Sequence, residues 1–294
     1  MLLLTLCASC QQSLFQRYDR LAYIESEKPN LKAKVFAPEF ISRKDASEFG
    51  SVFNKEGTAF YYAIESDGRA EIWYTEMVDK QWAQPVAIIS HPEYGFNDPF
   101  LSPNEQRLFY ISQMPRNELD SIPDHDIWYS EKRGKGWSDP INAGAVINSE
   151  QEEYYISFTN EGALYFASNK GKERKHDFDI YRSELLDGVY QTQEKLSDSI
   201  NTRGYEGDVF ISPDESYIIF CAARKAGFGK GDLYISFKRQ DGEWTESVNM
   251  GSGINTEGHE LCPFVTRDGK FFFYTSNQDI YWVSTSVFDH IKSK

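Results

Sequence analysis

The sequence predicts an all-β chain folded as a five-bladed β-propeller of four-stranded antiparallel blades. Three observations carry the prediction: a short acidic-aromatic phrase recurs five times at near-constant spacing, a turn and an aromatic strand precede each copy, and an unpartnered strand lies upstream of the first. The phrase reads Glu71-Ile72-Trp73-Tyr74, Asp126-Ile127-Trp128-Tyr129, Asp179-Ile180-Tyr181-Arg182, Asp232-Leu233-Tyr234-Ile235 and Asp279-Ile280-Tyr281-Trp282. Repetition at roughly 50 residues is the signature of radially repeated four-stranded units.

Each element of the unit has a local reason. The turns are Asn54-Lys55-Glu56-Gly57, Ser102-Pro103-Asn104-Glu105, Thr159-Asn160-Glu161-Gly162, Ser212-Pro213-Asp214-Glu215 and Thr266-Arg267-Asp268-Gly269. They put Pro or Gly where a tight hairpin needs fixed or positive φ. Aromatic strands follow, such as Phe60-Tyr61-Tyr62 and Phe271-Phe272-Phe273-Tyr274, suited to sheets packed face to face. Behind the phrase Trp82, Trp137, Tyr190 and Trp244 are expected to begin the fourth strand. The fifth copy ends without one, so Lys32-Ala33-Lys34-Val35-Phe36 is expected to complete the last blade beside residues 279–284 and leave no open sheet edge. Six blades is the alternative count. Residues 1–10 read as a signal segment, 11–31 as a tether with a short helix around Leu14 to Tyr23, and 32–294 as one propeller domain.

Acidic residues outnumber basic ones, 45 to 31, for a net charge of -14. That surface disfavours nucleic acid, and beyond the first few residues no apolar run is long enough to span a bilayer. The opening Met1-Leu2-Leu3-Leu4-Thr5-Leu6 leads into Cys7-Ala8-Ser9-Cys10. This resembles a bacterial lipobox and implies lipidation of Cys10, an anchor rather than a span. The expected address is the cell envelope, periplasmic or tethered to the outer membrane. Cys221 and Cys262 fall in strands of different repeats and read as small buried residues, with one bridge between neighbouring blades as the alternative.

The stretches Ile254-Asn255-Thr256-Glu257-Gly258-His259-Glu260, Pro263-Phe264 and Asp268-Gly269-Lys270-Phe271 resemble the TolB-like, WD-like propeller repeat of bacterial envelope proteins. So does Gly227-Phe228-Gly229-Lys230-Gly231-Asp232-Leu233-Tyr234, and Phe36-Ala37-Pro38-Glu39-Phe40-Ile41-Ser42 is similar to the lead-in of such lipoproteins. The likeness covers residues 34–284 and implies a fold, not an activity, because propellers host binding modules, hydrolases and lyases alike.

Aligning the copies on their turns places Glu48, Phe96, Glu153, Glu206 and Glu260 at one position, with Asp98 and Asp208 two residues further on and therefore expected on the same face of the strand. If the first strand is innermost, these residues ring one channel mouth and make an acidic funnel. Glu48, Asp98, Glu153, Glu206, Asp208, His259 and Glu260 are therefore the candidate binding residues. Three roles compete: holding the neighbouring loop through backbone N–H groups, capturing a divalent cation in the channel, or glycosidase chemistry by Glu153, Glu206 or Glu260. The recurring Asp is expected to cap its loop through backbone hydrogen bonds. Asp124-His125-Asp126 and His176-Asp177-Phe178-Asp179 fit no zinc or EF-hand spacing, so no metal site is assigned to them, and no cofactor is expected other than a divalent cation in the channel. No phosphate loop or Gly-x-Ser-x-Gly elbow occurs. The loops 112–125 and 168–178, carrying Arg116, Lys172, Arg174 and Phe178, add binding surface. A non-catalytic scaffold for a glycan, peptide or protein partner is the first expectation, and a carbohydrate-active glycoside hydrolase or lyase the alternative.

Overall fold

The computed structural model describes residues 28–117, 124–174 and 176–292. The signal segment, Cys10 and nearly all of the tether lie outside them. The strands form five antiparallel sheets arranged as one ring. Blade 1 runs from Ser47–Phe53 through Ala59–Ser66 and Arg69–Val78 to Val86–Ile89. Blades 2, 3 and 4 repeat it from Asn97–Leu101, Glu153–Phe158 and Glu206–Ile211. Blade 5 consists of Leu261–Val265, Phe271–Ser276 and Asp279–Ser284, and its outer strand is Lys34–Val35. Lys34 pairs with Trp282 and Val35 with Tyr281, so the upstream strand closes the ring as the sequence predicts.

Five equivalent hydrogen bonds fix the blade count. A backbone N–H at the start of each first strand donates to a carbonyl at or just before the start of the third strand of the preceding blade. The pairs are Glu48 to Gln278 (2.9 Å), Phe96 to Ala70 (2.8 Å), Glu153 to His125 (2.8 Å), Glu206 to Phe178 (3.1 Å) and Glu260 to Gly231 (2.9 Å). The first of these joins blade 1 to blade 5, which closes the circle at five and excludes six. First strands of neighbouring blades touch all the way round, so they are the innermost ones.

Two expectations about strand geometry need correction. Trp82 and Trp137 do not begin the fourth strand; each folds back on the end of the third, and the outer ladder is taken by Val86–Ile89 and Ile141–Asn142. Tyr190 sits in a side hairpin while Glu194–Lys195 pairs with the third strand of its blade. The bulky rings pack on the core from beyond the sheet edge, which demands proximity but no ladder register. The other correction concerns the innermost strands. Every one carries a β-bulge, with the register slipping at Phe49/Val52, Asn97/Phe100, Tyr154/Ile156, Gly207/Phe210 and Leu261/Phe264. An extra residue at a bulge breaks the simple alternation of faces, so residues two apart do not share a face there.

Candidate functional site

At each bulge one residue adopts the left-handed conformation: Gly50 (φ 57°), Asp98 (51°), Tyr155 (46°), Asp208 (47°) and Cys262 (53°). These five positions form the axial ring. Only Gly takes such backbone without strain, and an ordinary residue held there costs on the order of 1–3 kcal/mol. The ring is filled rather than open. Tyr155 donates its hydroxyl to the Pro263 carbonyl of blade 5 at 3.0 Å, and the Cys262 thiol donates to Asp98 Oδ1 at 3.3 Å. Gly50 sits beneath that contact; a Cβ there would lie 3.0 Å from the Asp98 Cα. Towards the turn end of the axis, Phe100, Phe158, Phe210 and Phe264 form a chain of ring contacts with centroids 5.9–6.1 Å apart.

The four glutamates lie one step behind this ring, and each holds a loop. Glu153 accepts from the Ser149 N–H (2.8 Å), the Ser149 hydroxyl (2.7 Å) and the Ser168 hydroxyl (2.7 Å). Glu206 accepts from the Thr202 N–H and hydroxyl at 2.9 and 2.6 Å, with Arg224 3.6 Å away. Glu260 repeats the arrangement with Thr256 and Ser276, and Glu48 accepts from the Arg43 N–H at 3.2 Å. All four are closed to solvent. Burial pushes the Glu48 and Glu153 carboxyls up to about 7 despite these donors. In blade 2, Phe96 fills the equivalent slot and packs edge-on against Tyr110. The glutamates therefore do not line an acidic funnel, because each carboxylate turns away from the mouth into its own loop.

Next to the glutamates stands a recurring motif to which the sequence assigns no role, though its last copy falls in the TolB-like stretch: Ile147-Asn148-Ser149, Ile200-Asn201-Thr202 and Ile254-Asn255-Thr256. Each Asn amide takes the place of a β-partner, accepting from one backbone N–H of the third strand and donating to the carbonyl of the same residue. For Asn255 and Leu233 the distances are 2.8 and 3.0 Å, and Asn148 with Ile127 and Asn201 with Ile180 repeat them.

The recurring Asp is less uniform than expected. Asp232 caps its loop through the N–H groups of Phe228 (2.6 Å) and Gly229 (3.1 Å). Asp126 instead pairs with Arg116 at 2.5 Å, and Asp179 with Lys172 and Lys195 at 2.8 Å. A cation from the long loop does in blades 2 and 3 what backbone does in blade 4, so Arg116 and Lys172 are used internally rather than presented.

An open cavity of about 300 Å³ lies over blades 2 to 4, lined by His125, Glu152, Tyr154, Phe178, Tyr205 and Asp208 among others. Its wall is a run of rings: His125–Tyr154 centroids 4.7 Å apart, Tyr154–Phe178 5.5 Å, Phe178–Tyr205 5.8 Å and Tyr205–His259 6.4 Å. The wall is braced, because His125 Nδ1 lies 2.6 Å from both Glu152 Oε2 and the Tyr154 hydroxyl, and the Tyr205 hydroxyl donates to Asp208 at 3.1 Å. Burial raises the Asp208 carboxyl above its ordinary value, opposed by His259 and by the Tyr205 hydrogen bond. Burial also pushes Asp98 up to about 7, with the charge of Asp208 adding to the effect. Of the candidate binding residues, the structure thus brings Asp208 to the cavity and His259 to its edge, puts Asp98 in the axial ring, and buries Glu48, Glu153, Glu206 and Glu260 in loops. Asp208 also comes together with His259 and Cys221, their ligand atoms all within 4.8 Å of one another.

No family model matches the chain, and no curated protein matches it by sequence. Solved structures do. TolB from Acinetobacter baumannii superposes with a TM-score of 0.51 at 12% identity, over 81% of this chain and 54% of that one, so this chain spans about half its length. A protein of unknown function from Dyadobacter fermentans gives 0.51 at 12% identity over 88% and 84% of the two chains. A gluconolactonase from Xanthomonas campestris gives 0.49 at 12% identity over 88% and 94%. At such identities only the fold transfers, and that fold is a TolB-like β-propeller.

Proposed function

We propose that the chain is a non-catalytic recognition module of the bacterial cell envelope that seats part of a glycan, peptide or protein ligand in the His125–Tyr154–Phe178–Tyr205 cavity. The observation that carries this reading is the division of labour between carboxylates and rings. Every carboxylate of the repeated glutamate position is closed to solvent and engaged by its loop, whereas the open cavity presents aromatic faces with Glu152 and Asp208 beside them. Glycoside hydrolysis needs two carboxyl groups free to flank the scissile bond, which argues against Glu153, Glu206 and Glu260 in that role. Aromatic faces with a few fixed polar groups suit a ligand unit offering a flat C–H face or a cation. The net charge of -14 adds a long-range pull on basic partners.

The Leu-rich opening and Cys7-Ala8-Ser9-Cys10 support an envelope address with Cys10 as the lipid-bearing residue. No helix among the described residues is long and apolar enough to cross a membrane.

The test is a screen of cell-wall glycans, peptides and envelope proteins with turnover monitored in the same samples. Binding without product release is expected, weakened about tenfold or more by Tyr154→Ala, the loss typical of an interfacial aromatic anchor. Product release abolished by Asp208→Asn would replace this reading with the carbohydrate-active one. Binding untouched by Tyr154→Ala would remove the cavity as the site.

A further inference from the structure

The structure assigns a transition-metal site, of the zinc class, to Asp208, Cys221 and His259 at the edge of the aromatic cavity. The three residues come from three segments: Asp208 from the bulge of the innermost strand of blade 4, Cys221 from the next strand of that blade, and His259 from the loop leading into blade 5. Their ligand atoms gather within 4.8 Å, and the Cys221 Sγ lies 3.3 Å from His259 Nε2. For zinc bonds of about 2.3 Å to sulfur and about 2.0 Å to nitrogen, tetrahedral geometry separates these two atoms by roughly 3.5 Å. The Cys221–His259 spacing needs an adjustment of only a few tenths of an ångström, and the Asp208 carboxylate, within 4.8 Å of the other two, closes the rest by side-chain rotation.

The surroundings hold the set in place. Gly231 has no side chain where a Cβ would fall 2.4 Å from His259 Nε2 and 2.9 Å from Cys221 Sγ, so only Gly leaves the imidazole room to reach the sulfur. Two backbone hydrogen bonds fix the loop that carries the His, Lys230 N–H to the Gly258 carbonyl (2.7 Å) and Glu260 N–H to the Gly231 carbonyl (2.9 Å). The Tyr205 hydroxyl donates to Asp208 Oδ2 at 3.1 Å, orienting the carboxylate from behind as outer-sphere partners of metal ligands do. The left-handed bulge at Asp208 turns its side chain away from the strand's ordinary alternation and towards the His.

The donor set selects the ion. One thiolate, one imidazole and one carboxylate suit zinc or its borderline neighbours and disfavour calcium or magnesium, which want oxygen throughout. Cys221 would bind as thiolate, its proton passing to solvent as the metal–sulfur bond forms. With Asp208 the pair supplies two negative charges for a dication. Three protein ligands leave the fourth position open, beside Asp208 and Tyr205 of the cavity wall. The site does not depend on the proposed recognition role, since it would hold metal whether or not the cavity takes a ligand.

The test titrates the full chain, freed of metal by chelator, with Zn²⁺, Co²⁺ and Ca²⁺. One zinc per chain is expected, with Co²⁺ giving a thiolate-to-cobalt charge-transfer band in the near ultraviolet and Ca²⁺ failing to compete. His259→Ala shortens an exposed side chain and keeps the backbone bridge between this position and Gly231. It should abolish stoichiometric zinc binding and the cobalt band while leaving the far-ultraviolet circular dichroism unchanged, and Cys221→Ser should remove the band alone or with the binding. Zinc bound equally by His259→Ala, a cobalt spectrum without sulfur character, or calcium bound in preference would each overturn the assignment.

Discussion

Asn148, Asn201 and Asn255 show how one side chain can carry a joint of the whole architecture. Each amide accepts from a backbone N–H of the third strand and shares the carbonyl of the same residue with a backbone N–H of the neighbouring outer segment, that of Ala143, Leu196 or Met250. Truncating one strands the buried N–H, at about 1–3 kcal/mol, while the carbonyl keeps its backbone donor. Asn255→Ala should therefore lower stability by about 1–3 kcal/mol in urea unfolding, and a loss within 0.5 kcal/mol would mean that water replaces the amide. Gly50→Ala probes the axial ring. Its φ of 57° and the 3.0 Å approach of a Cβ to the Asp98 backbone predict a loss of about 1–3 kcal/mol, checked by the same titration. The glutamate position was legible because it repeats, but its function as a loop anchor depends on Ser149, Thr202 and Thr256 four residues upstream. The bulge was not legible, since Asp98, Tyr155, Asp208 and Cys262 share no chemistry that would mark a left-handed position.

At the scale of the element, the strand that closes the ring was readable because the fifth copy of the repeat carries no fourth strand of its own in sequence, and Lys34–Val35 supplies it from upstream of the first copy. Closure rests less on its two-residue ladder than on Phe36 directly after it. That ring is fully buried, and its centroid lies 4.9 Å from Phe273, 5.3 Å from Phe60, 5.4 Å from Trp282 and 6.1 Å from Phe53, so one side chain rivets blade 5 to blade 1. Phe36→Ala should cost about 3–5 kcal/mol and broaden the thermal transition as the blade 5 edge opens first, seen as early amide exchange in Asp279–Ser284. A transition that shifts without early exchange there would show that the ring unfolds as one unit. The Trp-led fourth strand was misread for a related reason. Trp82 and Trp137 advertise core packing in sequence, whereas the ladder partners Val86–Ile89 and Ile141–Asn142 carry no strong mark of their own.

For the whole molecule, the blade count came from spacing and is fixed by the ring of five inter-blade hydrogen bonds, while the cavity and the Asp208–Cys221–His259 cluster draw on several blades and have no local signature. The same closure buries carboxyl groups at the inner ends of the blades, and this has a pH signature. The Glu48 and Glu153 carboxyls stand at about 7 in the folded chain against an ordinary 4.5, raised first by burial. Between those values the folded state holds protons that the unfolded chain releases, so folding is favoured by protonation and that contribution fades as pH rises through 7. The general repulsion of a -14 chain weakens in acid too and points the same way. Stability should therefore be greater at pH 5.5 than at pH 8. Glu48→Gln separates the two causes, because Glu48 Oε2 is buried without a hydrogen-bond partner and its neutral isostere leaves no charge to desolvate. The variant should match or exceed the parent at pH 8 and show a shallower fall between pH 5.5 and pH 8. A fall as steep as the parent's would place the proton uptake elsewhere and leave the overall charge of the molecule as its source.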